Sequence, residues 1–78
     1  MFEIRFIGWR EGLRKVKLIK LIRDDAHLPL DEALRIVDRI LDDEPVSVRT
    51  ASLEDAHHLA IESEKLGVEI TEIILVGE

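Results

Sequence analysis

The chain contains no cysteine, and none of its apolar runs approaches the length that crosses a bilayer. The lack of cysteine excludes a disulfide framework, a thiolate zinc site and a cysteine nucleophile, so stability has to come from packing. A membrane-spanning helix is excluded because it needs a run of about 20 apolar residues. The first residues also show no leader pattern of charge, apolar stretch and cleavage site. We therefore expect a cytoplasmic protein with no membrane partner.

Chemical motifs are also sparse. The four glycines are scattered and form no phosphate-binding loop. His57 and His58 are adjacent, so on a helix they point about 100° apart and cannot hold one metal ion together. His58 and Glu62 stand at helical spacing and can act as a pair, but a zinc site needs more ligands than two. His27 has no evident acid or base partner. We expect no catalytic residue, no metal site and no cofactor, and hence no enzyme.

Positive charge is scarce everywhere except near the start of the chain. The net charge is −6, yet residues 1–23 carry seven Lys or Arg against two Glu, and residues 24–78 carry four against fifteen Asp or Glu. An acidic protein repels the nucleic-acid backbone, so nucleic acid is not expected as a partner. The basic segment instead predicts a binding face of its own.

The first half of the chain predicts a strand and two helices. Apolar and polar residues alternate over 2–7, which is typical of a strand with one buried face. After a turn, the spacing becomes helical from Leu13 to about Asp24. Pro29 separates this segment from a second helix, Leu30 to Leu41, because proline is tolerated at a helix start but not inside one.

The second half predicts a strand, a helix and a last strand. Val46 to Thr50 alternates as a strand does. Ser52 and Asp55 have the spacing of a capping box for a third helix. This helix is expected to end before Gly67, since glycine suits the left-handed residue after a helix. Val68 to Val76 then predicts the last strand. The fold class is therefore α+β, a two-layer β-α-α-β-α-β domain with three helices on one face of a small three-stranded sheet. At this length residues 1–78 form a single domain.

Helical geometry gives the first helix two apolar faces. Leu18, Leu21 and Ile22 cluster on one side, while a second set shares an arc of roughly 100° on the other. That second set is Val16, Ile19, Lys20 and Arg23. Apolar side chains beside cations are typical of a protein-binding surface. The alternative is that a neighbouring helix covers Val16 and Ile19.

The other two helices sort into ordinary buried and exposed arcs. The arc expected to be buried in the second helix is Leu30, Ala33, Leu34, Ile36, Val37, Ile40 and Leu41. The arc expected to be buried in the third helix is Leu53, Ala56, Leu59, Ala60 and Leu66. Ile61 alone falls outside that buried arc.

The residues of the first two helices resemble a known family, the C-terminal domain of the bacterial ribosomal stalk protein. The resemblance covers nearly the whole chain and needs no gap through both helices. Its most specific positions are Gly12, Lys15, Val16, Ile19, Lys20, Arg23, Leu28, Leu30, Glu32, Ala33 and Val37. Ser52, Asp55, Ala56, Leu66, Gly67 and Val68 resemble the third helix and last strand of the family.

The resemblance implies a mobile recruiter of proteins. In that family the first two helices contact translation GTPases, so the expected partner is a protein, with a translation GTPase as the first candidate. The partner-binding positions implied here are Lys15, Val16, Ile19, Lys20, Arg23, Leu30 and Glu32.

The chain also departs from the family. Leu34 stands where the family has a lysine, and His27 and Pro29 replace glycines in the turn between the first two helices. The chain holds no counterpart of the N-terminal dimerisation region and hinge. It is expected to be a freestanding paralogue, a fragment, or a relative with another partner.

Two further readings stay open. The topology also resembles the adaptor of the Clp protease, although Gly8, Trp9, Arg10 and Glu11 stand where that family has an Asn-Asp-Asp segment. The other reading is a small homo-oligomeric structural or regulatory protein.

Self-association is predicted from the strands. Ile7, Trp9, Ile73 and Leu75 fall on the strand phase opposite Phe2, Ile4, Phe6, Ile70 and Ile74, so a sheet covered by helices on one side leaves them on its open face. A bare hydrophobic edge also invites pairing with another chain. A homodimer that buries these four residues is the expectation.

Overall fold

A computed structural model describes residues 1–75, without the side chains of Thr71 and Glu72. Within this range the chain forms three strands and three helices in the expected order. The elements are β1 (Phe2–Trp9), α1 (Lys15–Asp25), α2 (Leu30–Leu41), β2 (Val46–Thr50), α3 (Leu53–Leu66) and β3 (Val68–Leu75). The predicted α+β class is confirmed. The last predicted strand residue, Val76, lies outside the described residues.

The strands form one antiparallel sheet in the order β2-β1-β3 within the described part of the chain. α2 and α3 pack on this sheet, and α1 packs against α2 and α3. All three helices contribute to one core. Its buried apolar residues are Ile4, Phe6, Leu18, Ile22, Ala33, Val37, Ile40, Val48, Ala56, Leu59 and Val68.

Local chemistry accounts for the helix ends. The Ser52 hydroxyl accepts a hydrogen bond from the Asp55 backbone N–H at 3.1 Å, as the capping motif predicts. Gly67 follows α3 with φ of 111°, the left-handed conformation that glycine adopts without strain. Pro29 precedes α2 in an extended conformation.

α1 begins two residues later than expected. The backbone N–H of Arg14 donates to the carbonyl of Leu66 at 3.0 Å, and that of Arg10 donates to the carbonyl of Gly67 at 2.7 Å. The segment before α1 is therefore held against the end of α3, and Leu13 is not free to join the helix. β1, in turn, continues past Ile7 to Trp9.

The prediction of which residues lie on the open face of the sheet is wrong. A bulge between Ile70 and Ile73 shifts β3 by one residue, so Ile73 pairs with buried Ile4 and Ile70 pairs with buried Phe6. Residues directly opposite in an antiparallel pair share a face, and both isoleucines pack against the core. Leu75 pairs with Phe2 and belongs to the same face.

Simple alternation along β1 also predicts the wrong face of the sheet for Trp9. A second irregularity, between Phe6 and Gly8, brings Trp9 opposite buried Val68, on the helix-covered face rather than the open one. Ile7 is exposed. The four residues of the predicted self-association surface therefore do not share a face, and self-association itself stays a prediction.

The open face carries charge instead. Glu3 lies opposite Arg49 on β2, and its carboxylate is 3.7 Å from Nε of Arg49 and 3.4 Å from Nε of Arg5. Such pairs stabilise the sheet modestly and keep this face polar. In the described part of the chain, no helix combines the length and apolarity that a membrane span requires.

Candidate functional site

The two faces of α1 differ sharply in exposure. Leu18 and Ile22 are fully buried, whereas Val16 is 65% exposed. Ile19 lies between these extremes and packs partly against the core. The expectation that α1 leaves apolar surface in solvent therefore holds fully for Val16 and in part for Ile19.

α2 contributes two exposed leucines that were expected in the core. Leu30 is 54% exposed and Leu34 is 40% exposed. α2 buries Ala33, Val37 and Ile40 instead, at the i, i+4 and i+7 positions of a narrower stripe. Leu30 and Leu34 lie one step around the helix from that stripe. They therefore face the side where α1 lies rather than the core.

These side chains form a groove between α1 and α2. Its volume is about 310 Å³, and its lining residues are Val16, Ile19, Lys20, Arg23, Leu30 and Leu34. Five of the six were predicted as partner-binding positions. Leu34 was not among those positions, although the resemblance places it where the ribosomal stalk domain has a lysine.

The two cations of the groove differ in their partners. Arg23 Nε lies 3.1 Å from the Asp24 carboxylate, next to it in sequence. Lys20 forms no ion pair with any side chain that the structure describes. Its charge is therefore available to a carboxylate supplied from outside.

Two predicted contact positions lie away from the groove. Lys15 Nζ is 3.1 Å from the Asp38 carboxylate, so it joins α1 to α2. Glu32 is exposed on α2 but does not line the groove. The structure thus gathers Val16, Ile19, Lys20, Arg23 and Leu30 and leaves these two at the margin.

The lining of the groove combines aliphatic side chains with two cations. Its floor is aliphatic, and its polar groups are cations without a nearby base or nucleophile in the lining. Among the described residues, no group of three or more His, Cys, Asp or Glu side chains could hold a metal ion. An apolar side chain flanked by carboxylates has the shape and charge that fit here.

A separate histidine cluster joins α1 to α3. His58 Nδ1 lies 2.5 Å from the Asp25 carboxylate, and His27 Nε2 lies 3.6 Å from the Asp55 carboxylate. The hydrogen bond and charge of Asp25 raise the pKa of His58 above 6.5, its ordinary value. Glu62 raises this pKa further, as does Asp55. Sequence reasoning missed both pairs because their members are far apart in the chain.

This pairing predicts a pH-dependent stability. A raised pKa in the folded state means that His58 contributes stability below its unfolded pKa and loses it as pH rises through the folded pKa. We expect the Tm of dilute protein to fall as the pH rises above 6.5, the ordinary pKa of histidine, because the folded state holds this proton more tightly than the unfolded state. The contribution stays below about 1 kcal/mol because the imidazole is largely exposed. Thermal melts followed by circular dichroism measure it.

The matched variants for this test are His58→Gln and His57→Gln. The first removes the paired imidazole and should flatten the fall in Tm, while the second removes a neighbouring exposed imidazole and should keep it. An equal flattening in both variants would contradict the assignment to the His58 and Asp25 pair.

Comparison with known proteins gives no further information on this groove. No protein-family model matches the chain, and no curated protein matches it significantly. The resemblance to the ribosomal stalk domain rests on the helix residues given above and stays a prediction.

Proposed function

We propose that the chain is a non-enzymatic protein-binding domain that recruits its partner through the groove between α1 and α2. The observation that supports this most is the juxtaposition of three exposed aliphatic side chains with Lys20, a cation that no described side chain pairs. The aliphatic residues are Val16, Leu30 and Leu34. By resemblance to the ribosomal stalk domain, a translation GTPase is the first candidate partner.

The chemistry of the groove favours fast and weak association. Lys20 and Arg23 attract an acidic partner over a distance comparable to the Debye length, about 8–10 Å at ordinary salt. Steering of this kind raises the association rate more than the affinity. The leucines supply the desolvated centre of the contact. Rapid exchange is what a recruiting domain needs.

Charge reversal of the groove tests the proposal. We expect Lys20→Glu/Arg23→Glu to weaken binding to a purified elongation-factor GTPase at least about tenfold, a loss of roughly 1.4 kcal/mol. Leu34→Ala should slow association little and speed dissociation, since it removes apolar contact rather than charge. Biolayer interferometry at two salt concentrations measures both rates.

A matched control separates the groove from net charge. Lys17→Glu/Arg35→Glu changes the net charge equally, at exposed positions of α1 and α2 that do not line the groove. It should leave the affinity within about twofold of the original protein. Equal weakening by both pairs would contradict a groove-specific contact. Failure of the unaltered protein to bind any elongation or initiation factor would remove the translation GTPase as partner.

A further inference from the structure

A second groove lies between α3 and β3. Its volume is about 370 Å³, and its lining residues are His57, Ala60, Ile61, Glu64, Ile70 and Ile73. Ile61 is 54% exposed there, the one apolar residue of α3 that helical geometry left outside the buried arc. This groove shares no lining residue with the one between α1 and α2.

The groove runs beside an unpaired strand edge. β3 ends the sheet, and no strand within residues 1–75 pairs with its outer side. An edge strand presents N–H and C=O groups that pair with an added strand. A strand added to β3 also directs every second side chain toward the helix layer, and therefore into this groove. The free edge of β3 and the adjacent groove together fit an extended polypeptide segment.

The register of β3 makes it complementary to itself. The bulge turns Ile70 and Ile73 toward the same face, as their pairing with Phe6 and Ile4 shows. In an antiparallel pair of two β3 strands, Ile70 can therefore stand opposite Ile73 of the second copy on the helix-covered face. In that register Glu69 stands opposite Ile74, so the carboxylate of Glu69 does not meet its own copy.

α3 is complementary to itself in charge as well. His57, Ile61 and Glu64 lie on one stripe, at spacings of four and three residues. A two-fold axis that pairs the β3 edges brings two α3 helices together in opposite directions. His57 then approaches Glu64 of the second copy, and the two Ile61 side chains meet between them. An imidazole donates a hydrogen bond to a carboxylate whether it is neutral or charged.

We infer that the occupant of this groove is a second copy of the chain, joined by antiparallel pairing of the two β3 edges into a continuous six-stranded sheet. Each copy covers the Ile61, Ile70 and Ile73 surface of the other, which removes an exposed edge from both. The groove between α1 and α2 stays free in each copy. This interface differs from the open-face surface predicted from the sequence, because it uses Ile73 on the helix-covered side.

Analytical ultracentrifugation of the full chain tests the interface. We expect a species of twice the 9.0 kDa monomer mass at high concentration, which dissociates on dilution. Ile61→Glu should weaken dimerisation more than about tenfold because it buries a charge at the centre of the contact. Leu53→Glu is the matched control, since Leu53 is 47% exposed on the same helix but outside the groove. It should leave the dimer unchanged.

A charge swap tests the interface by restoring dimerisation rather than only by weakening it. Glu64→Lys should weaken the dimer by opposing His57 with a cation, and His57→Glu/Glu64→Lys should restore it. Circular dichroism verifies that each variant is folded. A monomer at concentrations up to about 1 mM, equal dissociation by Leu53→Glu, or no restoration by the swap would each overturn the inference.

Discussion

Leu18→Ala is expected to lower the free energy of unfolding by about 2–5 kcal/mol, and Val16→Ala is expected to change it by less than about 0.5 kcal/mol. The two residues are two positions apart on α1, and both are aliphatic. Leu18 is fully buried, so its truncation leaves a cavity among core side chains, whereas Val16 is 65% exposed. The contrast measures whether α1 has one buried face and one free face, which the proposed function requires.

Thermal and urea melts of both variants provide the measurement. For a domain of this size the loss in Leu18→Ala corresponds to a decrease in Tm of at least about 8 °C. Val16→Ala should melt with the original protein, yet it should bind the partner less tightly. Comparable destabilisation by Val16→Ala would mean that Val16 is packed in solution. The groove between α1 and α2 would then be closed rather than available.

Local signals were sufficient to predict most of the secondary structure. Pro29 fixed the start of α2, and both ends of α2 agree with the sequence. Ser52 and Gly67 fixed the ends of α3 in the same way, through a side-chain cap and a left-handed residue. These signals act within a few residues, so the sequence contains them in full.

Features that depend on distant partners could not be predicted. The bulge between Ile70 and Ile73 is visible only in the pairing of β3 with β1. It moves each later residue of β3 to the opposite face of the sheet. The start of α1 depends on the bond between Arg14 N–H and the carbonyl of Leu66. Alternation and helical spacing describe one segment at a time and hold no information on such contacts.

The candidate site was predicted in part for the same reason. The geometry of α1 alone identified Val16, Ile19, Lys20 and Arg23, because a helix with apolar residues on two faces cannot bury both against one layer. The exposure of Leu34 could not be found from α2 alone, since its apolar arc is wide enough to face either the core or α1. The crossing of α1 over α2 decides between them.

The two proposals together predict a higher apparent affinity for a partner that is repeated or clustered. Lys20 and Leu34 line one groove, and Ile61 lines the other. In the proposed dimer through β3, each copy therefore keeps its groove between α1 and α2 clear of the contact. Two linked sites raise the apparent affinity for a partner that is itself repeated or clustered, without any new contact. The Ile61→Glu variant should lose this gain while it retains the affinity of a single groove.

Gly67→Ala is expected to destabilise the domain by about 2–4 kcal/mol, for two separable reasons. Gly67 has φ of 111°, which strains any residue with a Cβ atom. A Cβ atom there would also lie 3.0 Å from the backbone Cα of Leu13, closer than the segment before α1 can accept without moving.

Gly12→Ala and Gly8→Ala separate the effect of backbone strain from the effect of the close approach to Leu13. Gly12 has φ of 92° but open space around its Cβ position, so its substitution should cost about 1–2 kcal/mol from strain alone. Gly8 has open space and no positive φ, so its substitution should be neutral or slightly stabilising. Urea melts of the three variants rank them. Equal losses in Gly67→Ala and Gly12→Ala would show that the approach to Leu13 is not tight.

The same contact couples Gly67 to the groove between α1 and α2. Leu13 precedes α1 directly, and Arg14 N–H is bonded to the carbonyl of Leu66 next to Gly67. A side chain at position 67 must push this segment outward and carry the first turn of α1, including Val16, with it. Gly67→Ala should therefore weaken partner binding as well as stability, whereas Gly12→Ala, which meets no neighbour, should affect stability alone.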